Sequence, residues 1–231
     1  MSVPLPPPGL AAESEAIDFL TRFGRARRFR RHFELATIVG WGRGGPVIPI
    51  EADVWFAQFF VEWFMFDFLL DDTSQTVADH ALVKQGTGLS RAARHFIEHA
   101  LATPLQVTRV HRSNEKMLML HDILDSGRQL ELTDPDAVEQ LVDGELFVAR
   151  LHTLEGMTRL IGTTAILAAE EEAALLQQMA ALQEHLRDTP HAGMVRAERM
   201  AVSSAIVAFV GRPVVARAHF AASNPGIGRL Q

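Results

Sequence analysis

The sequence predicts an α+β protein, with a helical N-terminal part, a small five-stranded β-barrel-like part and C-terminal helices. Three observations carry this. Apolar residues before Pro104 recur at helical spacing. Between 105 and 167 the period shortens to two, in short runs separated by turn residues such as Asp143-Gly144. After 167 the helical pattern returns, with Glu170, Glu171 and Glu172 in a first turn, where carboxylates suit the helix dipole.

In order, residues 1–10 read as an extended leader rich in proline. Residues 11–104 form the predicted helical domain. Its first helix spans about 11–39, where Ile17, Leu20, Phe23, Phe29, Phe33 and Leu35 make an apolar stripe. The stretch Gly40-Trp41-Gly42-Arg43-Gly44-Gly45-Pro46 breaks the chain. Helices follow over about 51–70 and 76–84. Ser90 is set to cap a helix over 91–102, which Thr103-Pro104 ends.

The predicted β domain occupies 105–167, with strands Leu105–Val110, Met117–Leu124, Arg128–Thr133, Leu146–His152 and Met157–Gly162. Short strands with tight turns imply a strongly bent sheet or barrel. C-terminal helices are expected over 168–187 and 194–210, and a weakly ordered tail over 211–231.

Composition bounds the function. The 231 residues are 48% hydrophobic and 22% charged, with net charge −6, so no overall field draws the chain to nucleic acid or anionic membrane. Absence of cysteine excludes disulfides, thiolate metal sites and a cysteine nucleophile. It suits a reducing cytoplasm. Ser2–Pro8 lacks the basic start of a signal peptide. No apolar run reaches the roughly 20 residues a bilayer span requires. Val54–Leu70 is interrupted by Gln58, Glu62 and Asp67. The expectation is a cytoplasmic protein with no membrane contact; its oligomeric state stays open.

Trp63-Phe64-Met65-Phe66-Asp67, followed by Asp72-Thr73, resembles the F-x-x-W-F-x-F-D segment of a bacterial family that often carries a C-terminal SEC-C zinc motif. Leu120–Gly127 is similar to that family's D-L-L-T-G turn, and Val142–Leu151 to its G-D-L-L-x-A-R-L strand. Arg159-Leu160-Ile161-Gly162 resembles its closing strand, so the likeness spans about 55–187 in the right order. It implies a fold more than an activity. The SEC-C cysteines are missing, so zinc and the partners of that module are not carried over.

Phe68-Leu69-Leu70-Asp71-Asp72 also resembles the first half of the aspartate-rich motif of class I terpene synthases. There, carboxylates at helical spacing hold magnesium against a diphosphate. Asp67, Asp71 and Asp72 would serve a metal-dependent prenyl-diphosphate enzyme. Against this, Gln75 stands where a further acid is needed, no second metal motif follows, and such enzymes are all-helical. The plainer reading ends a buried aromatic helix at Asp71-Asp72, with Asp67 satisfied at its inner edge.

His95 and His99 lie four apart, without the glutamate spacing of metalloproteases, and read as a surface pair. His111, His121 and His152 read as rim residues. No glycine-rich phosphate loop or nucleophile elbow is found. No catalytic residue, metal or cofactor is assigned.

The densest charge feature is Arg22, Arg25, Arg27, Arg28, Arg30 and Arg31, interleaved with Phe23, Phe29 and Phe33 on one predicted helix. Basic residues among aromatics suit phosphate or an acidic surface. The expectation is a non-enzymatic interaction module for a protein or ribonucleoprotein, with RNA as a further partner of this helix. The plainer alternative is a solvated amphipathic face.

Overall fold

A computed structural model describes residues 8–41, 54–70, 74–85, 88–123, 128–154, 157–167, 169–185 and 196–223. The helices are α1 (Pro8–Gly24), α2 (Arg30–Trp41), α3 (Val54–Phe66), α4 (Val77–Gln85), α5 (Arg91–Ala102), α6 (Pro135–Gln140), α7 (Ala169–His185) and α8 (Arg196–Ser223). The strands are β1 (Leu105–Asn114), β2 (Met117–Asp122), β3 (Gln129–Leu132), β4 (Leu146–Leu154) and β5 (Met157–Leu167). The α+β class with a barrel-like sheet is therefore as the sequence predicts.

The continuous helix expected over 11–39 is corrected. It breaks after Gly24 into a 3-10 turn at Arg27–Phe29 before α2 begins. Residues six apart on one helix point roughly 120° apart, so Phe23 and Phe29 could not both face one core. The break lets both be buried, with ring centroids 5.4 Å apart.

The sheet order is β1-β2-β3-β5-β4, closing back on β1. Neighbours are antiparallel except β3 and β5, joined in parallel through Leu132 and Thr158. Alternation splits the side chains between two cores. Val110, Leu118, Leu120, Leu132, Phe147, Ala149 and Leu151 fill the barrel. Leu105, Val107, Leu146, Val148, Ile161, Ala165 and Leu167 face the helices.

α6 was not expected. It supplies Ala137 and Val138 to the barrel interior, and Leu141 follows directly after it. Its signal was Asp134-Pro135: Asp134 accepts a hydrogen bond from the Ala137 N–H at 3.3 Å, and proline suits the first helical position. Strands β1 and β5 run beyond the predicted Val110 and Gly162. α8 continues past Gly211 to Ser223.

The helical core is aromatic. Phe56, Phe59, Phe60, Trp63, Phe64, Phe66 and Phe68 are buried, and the Trp63 indole donates to Ser203 Oγ of α8 at 3.1 Å. A Cβ at Gly40 would sit 2.9 Å from the Phe60 ring, and one at Gly211 would sit 2.7 Å from Phe56. Glycine at these two places lets α2 and α8 approach α3. Ser90 caps α5 as expected, accepting from the Ala93 N–H at 3.1 Å.

Candidate functional site

The six arginines singled out in the sequence do not share one helix. Arg22 ends α1, Arg25 lies in the following turn, Arg27 and Arg28 form the 3-10 turn, and Arg30 and Arg31 open α2. All six are exposed. Arg28 lies over the Phe23 and Phe29 rings, at 4.4 and 4.7 Å from their centroids. Arg30 pairs with Glu34 at 3.2 Å, and Arg22 Nε donates to the Asp18 carbonyl at 3.2 Å.

Next along α2, at spacings of four and three, Leu35 and Ile38 continue the outward face that Arg31 begins. Leu35, Ile38 and Val39 are 41%, 49% and 40% exposed. Phe33 is only partly covered, through edge-on contacts to Phe60 and Phe64. The stripe expected to lie inward thus diverges: Leu20, Phe23 and Phe29 enter the core, whereas Leu35 does not. The result is a basic corner running into an apolar helix face.

A second concentration of charge lies at the seam between helices and barrel, and sequence reasoning missed most of it. Arg150 points from β4 toward the helices and is 4% exposed. It donates to the Asp67 carboxylate and, at 2.7 Å, to the Thr103 carbonyl, with Phe66 below its guanidinium. Burial pulls its pKa down to about 10, against the opposing charge of Glu62. Asp67 thus occupies the satisfied inner edge expected of it.

Glu62, also buried, lies one strand away, against Gly162. β5 carries a bulge here, its register against β4 shifting between Val148 and Arg150. Gly162 has φ +69°, and a Cβ on it would collide with the Glu62 carboxylate. The positive φ favours glycine, and a larger residue would also have to displace the Glu62 carboxylate. The Gly162 N–H donates to Glu13 Oε1 of α1 at 2.9 Å. Burial raises the Glu13 pKa, the Gly162 N–H opposes this, and the Glu62 charge adds to the rise.

A sequence signal existed: charged residues inside otherwise apolar segments, as with Glu62 in α3 and Arg150 in β4. Their partners are far away in sequence, so the signal marks a buried charge and not its mate.

A small cleft of about 20 Å³ opens beside this seam, lined by Asp67, Thr76, Arg196 and Arg199 among others. That is room for about one water. Arg196 forks onto Asp79, with one arm at 3.0 Å. Burial pushes Asp79 up, but hydrogen bonds from Arg196 and Thr76 hold it below the ordinary carboxylate range.

Of the aspartate-rich motif, Asp67 is committed to Arg150, and Asp71 and Asp72 lie outside the described residues. Most of the Gly40–Pro46 loop does too. Among the described residues no cluster of three or more His, Asp or Glu is arranged to hold a metal ion. No helix there is long and apolar enough to cross a membrane.

The histidines are brought together in pairs. The His95 and His99 Nε2 atoms meet at 2.7 Å on the exposed side of α5. The rings of His111 and His121 lie 4.4 Å apart on β1 and β2. The side chain of His152 is outside the described residues.

An α+β chain whose helices close over a small barrel, joined by a buried ion pair, is the class that fold and seam define. The chain belongs to the DUF7986 family, a family of unknown function, whose model matches residues 47–192. That span includes α3, the barrel and the Asp67–Arg150 pair, and leaves the arginine corner outside. No curated protein and no solved structure matches the chain.

Proposed function

We propose that the chain is a non-enzymatic interaction module that docks a protein or ribonucleoprotein partner on the corner of α1, the 3-10 turn and α2. The observation carrying this is the junction of exposed Arg27, Arg28, Arg30 and Arg31 with the outward Leu35, Ile38 and Val39. Cations beside apolar side chains match an acidic surface with an apolar ridge. They also match phosphates flanked by bases, so RNA is the second ligand of the same corner.

The likeness of residues 55–187 to SEC-C-associated bacterial proteins concerns the fold and adds no partner, because the arginine corner lies outside that span and no cysteine is present to build the zinc module. A cysteine-free chain also suits a reducing cytoplasm.

The test is capture of partners by wild type and by Arg27→Glu with Arg31→Glu, followed by identification of bound protein and RNA. Arg28 is left in place because it stacks on two core rings. The charge reversal should weaken capture without changing the far-ultraviolet spectrum. If phosphate is bound, affinity should fall steeply with salt, because each neutralised phosphate releases counterions. Equal recovery by both proteins at low salt would remove this corner from consideration.

A further inference from the structure

We infer that His95 and His99 form a two-point chelate for a late first-row divalent cation such as Ni²⁺, Cu²⁺ or Zn²⁺. Four residues apart on α5, they project from consecutive turns of one face. Their Nε2 atoms already converge to 2.7 Å, with ring centroids 4.0 Å apart and the rings nearly perpendicular.

At that separation a single N–H proton fits between the two nitrogens, the tautomers setting which one carries it. A cation in its place needs bonds of about 2.0–2.1 Å to each nitrogen. Two such bonds at an angle near 90–105° put the nitrogens about 3 Å apart. A small opening of the side chains from 2.7 Å supplies that separation. Both rings would then carry their remaining proton on Nδ1.

The backbone under the pair is fixed. Ala93, Ile97 and Ala100 bury the opposite face of α5, and Ser90 caps it. Glu15 in turn holds Ser90, accepting from its N–H and its hydroxyl, both at 2.7 Å. The Thr103 hydroxyl donates to the His99 carbonyl at 2.9 Å.

Charged neighbours on the helix are Arg91, Arg94 and Glu98, the last two paired at 3.1 Å. The neutral imidazole is the form that ligates. Imidazole prefers these cations over magnesium or calcium, which select oxygen. Two protein ligands leave open positions for water or for a donor from another molecule.

The experiment is calorimetric titration of the full chain with NiCl2 at pH 7.5, for wild type, His95→Asn, His99→Asn and His111→Asn. Wild type and His111→Asn should bind one equivalent at this site with the same affinity. Either α5 replacement reduces the chelate to a single ligand and should weaken binding on the order of 100-fold. MgCl2 should give no signal. Both histidines carry exposed edges, so the variants should keep the wild-type circular dichroism spectrum. A wild type that binds no nickel would overturn the inference. Undiminished binding by His95→Asn, or loss of binding in His111→Asn alone, would do the same.

Discussion

The buried Asp67–Arg150 pair makes a prediction whose pH dependence depends on which partner is removed. Replacing Asp67 with Leu leaves a guanidinium that is 4% exposed, still held by the Thr103 carbonyl and Phe66, with the Glu62 charge nearby. Breaking a buried pair in this way costs about 3–5 kcal/mol. For a chain of this size each kcal/mol moves the Tm by about 2–4 °C, so the expected fall is roughly 6–20 °C. Arginine stays charged throughout the accessible pH range, so the deficit should persist between pH 5 and pH 7.

Replacing Arg150 with Met strands a carboxylate instead, and Asp67 can escape by taking a proton. Holding it protonated costs about 1.36 kcal/mol for each pH unit above an ordinary pKa near 3.9, or about 4 kcal/mol at pH 7 and about 1.5 kcal/mol at pH 5. The Arg150→Met deficit should therefore shrink by more than half on acidification. The double variant should recover most of the stability, since apolar replacement of a buried pair is often neutral or favourable. Thermal and urea unfolding of the four proteins at the two pH values measure all of this. Additive losses in the double variant, or Tm values for both single variants within about 2 °C of wild type at pH 7, would refute the reasoning, since that margin is below about 1 kcal/mol.

Trp63→Ala should destabilise by about 3–5 kcal/mol, because it empties the centre of the aromatic core and leaves the Ser203 hydroxyl without its indole donor. An unchanged urea midpoint would contradict the burial. Glu13→Gln should gain stability relative to wild type as pH rises from 4 to 7. A folded pKa raised above the unfolded value means the native state holds its proton more tightly, so wild type loses that contribution as pH climbs through the window. Glutamine keeps an acceptor for the Gly162 N–H without ionising. Parallel Tm–pH curves for the two proteins would show that Glu13 has no such role.

The class of fold was legible because it is written locally. Period-two alternation in Leu146–Leu151 and helical spacing in Arg91–Ala102 each report which side of an element is buried. Turn and cap residues such as Asp143-Gly144 and Ser90 fix where elements end. Even the meeting of His95 with His99 follows from helix geometry, although only the structure turns the two Nε2 atoms toward each other. The break after Gly24 was not legible, because the spacing of Phe23 and Phe29 forbids one straight helix only once both rings are known to be buried, and that burial is decided by the packing.

The seam was less legible still. Asp67 and Arg150 are 83 residues apart, and Glu13 and Gly162 are 149 apart. No local pattern links them. They meet because the helices cover the outer face of the barrel, and a buried charge is tolerable only where that packing brings its counterpart. By itself the sequence determined most of the elements and the α+β class. Only tertiary structure decided which charges face one another, since pairing depends on distances set by the whole packed chain.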